Sequence, residues 1–181
     1  PYDPEKSFAP VTMVASGPTV LVVNPDVPGS TVKDLIDYAK SKPGQLSYGS
    51  AGFGSSAHLA GEMFKVMAHV DMVHVPYKGD PQAVADLVSG QIQMLFVGAW
   101  SSVAQQVNSG KLKALAVASA KPTPLVDLPT VAAAGLPNFE AIVWNGIVVP
   151  AGTPTAIVNR LQREISTSIR QADVRSKFQS M

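Results

Sequence analysis

Short apolar runs alternate with helical patterns along most of the chain. The run TVLVVNP, residues 19–25, is β-branched and uninterrupted, which predicts a strand buried on both faces. The following STVKDLIDYAK has a helical period, and its apolar stripe comprises Val32, Leu35, Ile36 and Ala39. Thr31 and Asp34 resemble a capping box with Asp in place of Glu, and KPG ends the predicted helix.

The same alternation continues to about residue 119. LSYGS, DMVHVPY, IQMLFV and LKALAVAS predict strands, whereas SSAHLAGEMFKVMA, DPQAVADLVSG and AWSSVAQQVNSG predict helices. In DPQAVADLVSG we expect Asp80 as the N-cap, Pro81 at the first helical position and Gly90 at the end. Alternating strands and helices with short connections indicate an α/β domain with a parallel sheet from about Val20 to Ser119.

The chain changes character after Ser119. A proline-rich segment follows, in which only TVAAAG has a helical pattern, and AIVWNGIVV predicts one more strand. PAGTPTAIVNRLQREISTSIR predicts a long amphipathic helix with Thr153 as N-cap and Pro154 at the first position, and a short helix is expected from Asp173. One strand and two helices are too few for a separate sheet, so this tail should complete a second domain, part of which comes from elsewhere.

Composition narrows the class of protein. Among 181 residues, 46% are hydrophobic and 15% charged, which predicts a packed core and not a disordered chain. The formal net charge of +1 provides no basic stripe for nucleic acid and no polybasic membrane patch. The absence of cysteine excludes disulfides, thiolate metal sites and cysteine nucleophiles. Because PYDPEKSFAPV has the character of mid-chain sequence, we expect the chain to be a fragment.

The most unusual stretch is YGSAGFGSSAHLAGEMF, which has three glycines and three serines in Tyr48–Ser56, just before a predicted helix. Within it, GFGSSA matches the dinucleotide-binding fingerprint G-x-G-x-x-G/A. Asp71 lies about 20 residues further on, at the start of its predicted strand. The acid of the fingerprint belongs at the end of a strand. The G-x-S-x-G pattern of a nucleophile elbow is absent.

The histidines give no metal site. His58 and Glu62 are spaced to share a helix face, but one histidine and one carboxylate fall short of the three or four ligands that a metal needs. A surface pair is therefore expected. His74 alternates with Val73 and Val75, which predicts that it points to the polar face of its strand.

A third interpretation of the glycine-rich stretch is an anion-binding loop. Bare backbone N–H groups and the start of a helix bind carboxylates without a cationic side chain. Two further loops, VPYKGD and Gly98-Ala99-Trp100, follow the next two predicted strands and should lie at the same sheet edge. Tyr77 and Lys78 would bring a hydrogen-bonding ring and a positive charge there.

Together these loops resemble the periplasmic solute-binding proteins of tripartite tricarboxylate transporters, the Bug family. The similar segments span nearly the whole chain: PYDPEKSFAPVTMVASGPTVLVVNP, KPGQLSYGSAGFGSSAHLAGEMFK, HVPYKGDPQAVADLVSGQIQMLF, GKLKALAVAS and LPTVAAAGLPNFEAIVWNGIVVPAGTP with the helix after it. The resemblance implies a type II periplasmic-binding-protein-like α/β fold of two lobes, a small organic acid as ligand, no catalytic residue, no cofactor and no metal. It further implies a periplasmic location, with a signal peptide outside this sequence, and a membrane permease as partner.

The resemblance also assigns domains. Residues 19–118 are expected to form one complete lobe, residues 1–18 part of the other lobe and the first crossover, and residues 119–181 the return crossover and the rest of that partial lobe. The implied ligand-binding residues are Ser50, Ala51, Gly52, Gly54, Ser55, Ser56, Tyr77, Lys78, Gly79, Val97 and Gly98.

One position departs from the family pattern. An aspartate often follows the segment that matches QMLF, and Val97 takes its place here. Without that acceptor we expect a ligand that lacks an ammonium group at this point. Two alternatives stay open: an α/β enzyme that binds a nucleotide or phosphorylated substrate at residues 49–56, and a sensor domain with the same fold.

Overall fold

The computed structural model describes residues 2–124 and 126–179. It divides the chain into two compact units, Pro18–Val143 and a smaller one made of Pro1–Gly17 and Trp144–Met181. The strands are β1 (Phe8–Pro18), β2 (Val20–Val23), β3 (Ser47–Ser50), β4 (Val73–Pro76), β5 (Met94–Val97), β6 (Lys113–Val117) and β7 (Ile142–Pro150). The helices are α1 (Val32–Ser41), α2 (Ser56–Ala68), α3 (Asp80–Val88), α4 (Ala104–Asn108), α5 (Thr155–Ser168) and α6 (Ala172–Gln179), with a 3₁₀ turn at Trp100–Ser102.

The larger unit is built on a five-stranded mixed sheet of order β4-β3-β5-β2-β6. Strand β3 runs parallel to β4 and β5, whereas β2 runs antiparallel to β5 and β6. The predicted all-parallel sheet is therefore wrong at β2. The apolar run correctly indicated burial, since Val20–Val23 are all at most 3% exposed, but burial on both faces does not encode strand direction.

Parallel pairing brings the ends of β3, β4 and β5 to one edge of this sheet. The start of β2 lies at the same edge, because Val20 pairs with Val97 at the end of β5. The loops after these three strands are therefore neighbours.

Local helix signals hold best in α1. Its four apolar stripe residues are buried, and Thr31 and Asp34 form the predicted capping box, in which each side chain accepts a backbone N–H of the other. Two predicted N-caps are wrong by one residue. Asp80 is the first residue of α3, and the N-cap position is Gly79, which has no side chain to cap the helix. The N-cap of α5 is Pro154 and not Thr153, whose hydroxyl donates to the Pro150 carbonyl at 2.8 Å.

Two apolar clusters pack on opposite faces of the sheet, since alternate residues of β2 and β5 belong to each. The cluster under α1 and α2 contains Phe64, Phe96 and Phe139, with ring centroids 5.5–6.2 Å apart. Phe139 belongs to residues 119–143, which the sequence prediction assigned to the other domain and which here pack in the larger unit. TVAAAG forms turns and not a helix.

In the smaller unit, β1 and β7 form a two-stranded sheet. Helix α5 carries the predicted amphipathic pattern, yet none of its residues is buried, and Ile157 is 51% exposed. Within the described residues, every helix is too short or too polar to cross a bilayer.

Candidate functional site

The glycine-rich loop leaves β3 at Ser50 and enters α2 at Ser56. Gly52 and Gly54 have φ angles of +119° and +78°, a region in which residues with a side chain are strained. Gly49 lies close to the core, because a β-carbon there would stand 2.5 Å from Cδ1 of the buried Ile92, which would have to shift. Two glycines therefore shape the loop, and the third lets β3 pack against the core.

Ser50 is fully buried and holds the loop from inside. Its hydroxyl accepts the N–H of Gly52 at 3.1 Å and lies 2.7 Å from Nε2 of His74. The hydroxyl of Ser55 caps α2 by accepting the N–H of His58 at 3.3 Å. Both residues were predicted to bind ligand, and the structure places the side chain of Ser50 away from the surface.

The exposed part of the loop presents N–H donors. Gly54 and Ser56 are exposed, and Ala51 and Gly52 are half-buried. In the part of the chain that the structure describes, the backbone N–H groups of Ser56 and Ala57 have no intramolecular acceptor. First-turn donors of a helix carry a partial positive charge, so this end of α2 suits an anion.

The loop after β4 is tied to the glycine-rich loop, because the N–H of Tyr77 donates to the Ser50 carbonyl at 2.9 Å. The Tyr77 hydroxyl donates to Oδ2 of Asp86 at 2.8 Å. Burial and this bond raise the pKa of Tyr77 to about 12. Lys78 is exposed, and Gly79 has an extended φ of 168° that any residue adopts. Lys78 is thus the charged group of this loop that faces solvent.

The loop after β5 exposes its backbone at the sheet edge, while the side chain that precedes it is buried. Val97 is 1% exposed and packs in the second apolar cluster, whereas Gly98 is exposed. A β-carbon on Gly98 would lie 3.0 Å from Cγ2 of Val143, so the backbone passes close to that residue.

A cluster of rings beside the glycine-rich loop was not predicted from the sequence. His74 stacks on Tyr48 with centroids 4.9 Å apart and lies 4.2 Å from His58 and 5.1 Å from Phe53. The register of β3 on β4 sets Tyr48 opposite His74, a pairing that the pattern of one strand does not contain. Burial first, and then the neighbouring His58, lower the pKa of His74.

His58 and Glu62 lie one turn apart on α2, and each hydrogen-bonds to other partners. His58 Nδ1 accepts the N–H of Gly54 at 3.2 Å, and Oε1 of Glu62 accepts the Tyr48 hydroxyl at 2.6 Å and Lys65 Nζ at 2.8 Å. Lys65, followed by Tyr48, lowers the pKa of Glu62. Across the described residues, no three His, Asp or Glu side chains are grouped to hold a metal ion.

The dinucleotide interpretation fails on geometry. Asp71 precedes β4 and its carbonyl accepts the N–H of Gly44, which places it at the opposite edge of the sheet from the glycine-rich loop. The acid that would contact a ribose is therefore not at the loop.

Comparisons with known proteins agree with the loop pattern. A family model described as the tripartite tricarboxylate transporter family receptor matches residues 1–180. The UPF0065 protein in the tcbD-tcbE intergenic region of Pseudomonas sp. (strain P51) is 41% identical over 176 residues, 96% of this chain and 52% of that protein. The chain thus spans about half the length of the curated relatives that it matches.

Two solved structures share the fold along nearly the whole chain. R. palustris Rpa4515 with adipate is 36% identical with a TM-score of 0.88, and 98% of this chain covers 60% of that chain. MatC (Rpa3494) from Rhodopseudomonas palustris with bound malate is 31% identical with a TM-score of 0.88, and 99% of this chain covers 61% of that chain. This mixed α/β chain has the periplasmic-binding-protein fold. It belongs to the tripartite tricarboxylate transporter receptor family, whose members are solute-binding receptors and not enzymes.

Proposed function

We propose that this chain is part of a periplasmic receptor that captures a small organic acid and delivers it to the permease of a tripartite tricarboxylate-type transporter. The observation that carries the proposal is the sheet edge where the loops after β3, β4 and β5 meet. The unpaired first-turn N–H donors of Ser56 and Ala57 in α2 lie there, beside the exposed backbone of Gly54, whose own N–H is bonded to His58. A carboxylate accepts hydrogen bonds from such groups without a cationic partner.

The relatives support the class of ligand. Structures of similar proteins contain adipate and malate, which are both dicarboxylates. A second carboxylate needs a second set of donors. We propose that the larger unit is one lobe, which binds one carboxylate of the ligand, and that the smaller unit is part of a second lobe.

Within the larger unit, the eleven predicted residues have different proposed roles. Ser56 would donate directly through its N–H, and Ser55 through its hydroxyl, since the Ser55 N–H already donates to the Gly52 carbonyl. Gly54 would donate only when its N–H is released from His58, with Ala51 and Gly52 beside it, and Lys78 would add positive charge near the same edge. Ser50 and Tyr77, whose hydroxyls are bound internally, would instead fix the two loops. Gly79, Val97 and Gly98 would act through backbone position.

The proposal is tested by thermal shift and calorimetry on the full-length protein. The panel contains adipate, malate, citrate and benzoate, with ATP and NAD as the contrasting class. We expect an organic acid to raise the melting temperature and to bind with one-to-one stoichiometry. Stabilisation by nucleotides alone would contradict the proposal and favour the nucleotide-binding alternative.

A matched pair of variants locates the site. Gly54 and Gly110 have φ angles of +78° and +73°, and a β-carbon added to either glycine would have no heavy atom within 4 Å beyond its chain neighbours. Gly54→Ala and Gly110→Ala should therefore impose a similar backbone strain of about 1 kcal/mol. Only Gly54→Ala should weaken carboxylate binding; equal weakening by both variants would place the ligand elsewhere.

A further inference from the structure

The imidazole of His58 holds the tip of the glycine-rich loop only when its Nδ1 is unprotonated. Its Nδ1 accepts the N–H of Gly54 at 3.2 Å, so Nδ1 carries no proton in this arrangement. Gly54 is exposed and His58 is half-buried, so both are accessible from solvent. A doubly protonated imidazolium has no lone pair left and cannot accept this bond.

We propose that His58 is a positioning residue whose protonation frees the Gly54 N–H and adds positive charge at the loop, so that carboxylate binding strengthens as the pH falls. This inference rests on the proposed function of the loop as a carboxylate site. In the neutral state the Gly54 donor is consumed inside the protein. In the charged state both the Gly54 N–H and the His58 Nδ1–H are donors, and a carboxylate is the acceptor that satisfies them.

His74 is the nearest titratable neighbour of His58. From β4, His74 lies with its ring 4.2 Å from that of His58, so a proton on one opposes a proton on the other. Burial lowers the pKa of His74, which keeps it neutral while its Nε2 contacts Ser50.

The remaining charged and titratable groups come from β3 and α2. Glu62, one turn along α2, attracts a charge on His58, and its carboxylate is held by the Tyr48 hydroxyl and by Lys65. Lys65 opposes positive charge in the cluster. Phe53 packs its ring edge-on against His58 with centroids 5.5 Å apart and is 79% exposed, so it leaves a path for solvent and ligand to the loop.

A ligand-free measurement tests the hydrogen bond itself. In ¹⁵N-labelled full-length protein, we expect the Gly54 amide resonance to titrate between pH 8 and pH 5.5. His58→Asn should abolish this titration while keeping the loop folded, because an asparagine Oδ1 accepts the same N–H and carries no proton. His69→Asn is the matched control: His69 is exposed at the end of the same helix and distant in sequence from the loop, so the Gly54 titration should persist.

Calorimetry with adipate then tests the consequence for binding. Between pH 8 and pH 6.5 carboxylic acids with pKa values of about 4 to 5 stay ionised, and we expect affinity to rise about three- to tenfold with uptake of a proton. His58→Asn should bind with a flat pH profile, and His69→Asn should match the wild type.

The possible results separate the two hypotheses. Two results would overturn the role of His58 and leave the proposed function intact. One is a Gly54 amide that does not titrate, and the other is a wild-type affinity for adipate that is independent of pH. If no acid in the panel binds at any pH, the proposed function fails, whereas the Gly54 titration still decides whether His58 controls the loop.

Discussion

Gly61 of α2 lies directly against the ring of Tyr48 on β3. A β-carbon on Gly61 would stand 2.1 Å from Cε2 of Tyr48, far inside van der Waals contact. Tyr48 cannot easily yield, because its ring is fully buried, stacks on His74 and donates its hydroxyl to Glu62. This close approach of helix and strand sets the position of α2, and with it the start of the helix beside the glycine-rich loop.

Gly61→Ala should therefore destabilise the protein, although alanine is the better helix former by about 1 kcal/mol. Overpacking against Tyr48 should lower the free energy of unfolding by about 1–3 kcal/mol. Urea denaturation measures the change. In a double-mutant cycle, Tyr48→Leu should remove most of the penalty, since the smaller side chain leaves room. A Gly61→Ala protein that is more stable than wild type would show that the contact does not limit packing.

Glu62 should make stability depend on pH in the acid range. Its pKa is lowered in the folded state, so its contribution is present above the ordinary carboxyl value and is lost as the pH falls through the folded pKa. Glu62→Gln should reduce the free energy of unfolding at pH 7, by an amount that shrinks as the pH falls below the ordinary carboxyl value and through the folded pKa. Glu140→Gln, which removes one carboxylate at an exposed position, is the matched control. A constant difference between wild type and Glu62→Gln at all pH values would exclude this linkage.

Asn24 should be essential for joining β2 to α3. It is 5% exposed, its Nδ2 donates to the Leu87 carbonyl at 2.8 Å, and its Oδ1 accepts the N–H of Asp26 at 2.9 Å. Asn24→Ala leaves these groups unpaired and should cost about 1–3 kcal/mol of unfolding free energy. Asn24→Asp should cost more at pH 7, because it sets a charge against a carbonyl. Asn108→Ala, at an exposed position, should change little in the same denaturation experiment.

What the sequence predicts well is local. The capping box of Thr31 and Asp34 and the buried stripe of α1 depend on residues within a few positions of one another, and the structure confirms both. The direction of β2 depends on its neighbours β5 and β6, which lie far along the chain, and it could not be inferred from the apolar run.

The same distinction applies to the candidate site. The meeting of three loops at one edge follows from the parallel run of β3, β4 and β5, which alternating strands and helices predicted. The inward hydroxyls of Ser50 and Tyr77 and the contact between His58 and His74 were not predictable, because each joins residues of different elements. A residue type suited to binding does not reveal whether its polar atoms are already occupied inside the protein.

Val97 leads to a prediction about ligand choice. Its side chain is 1% exposed among apolar side chains, so it offers neither a hydrogen-bond acceptor nor a negative charge. An ammonium group placed there would lose water without a partner, which is costly. In competition calorimetry on the full-length protein, we therefore expect succinate to bind at least as tightly as malate, and malate to bind more tightly than aspartate, which differs from it by an amine in place of the hydroxyl. Aspartate binding as tightly as succinate would contradict this.

The variant Val97→Asp should not simply create a site for an amine. A carboxylate buried in the apolar cluster should destabilise the fold, and thermal denaturation of that variant would measure the loss of stability.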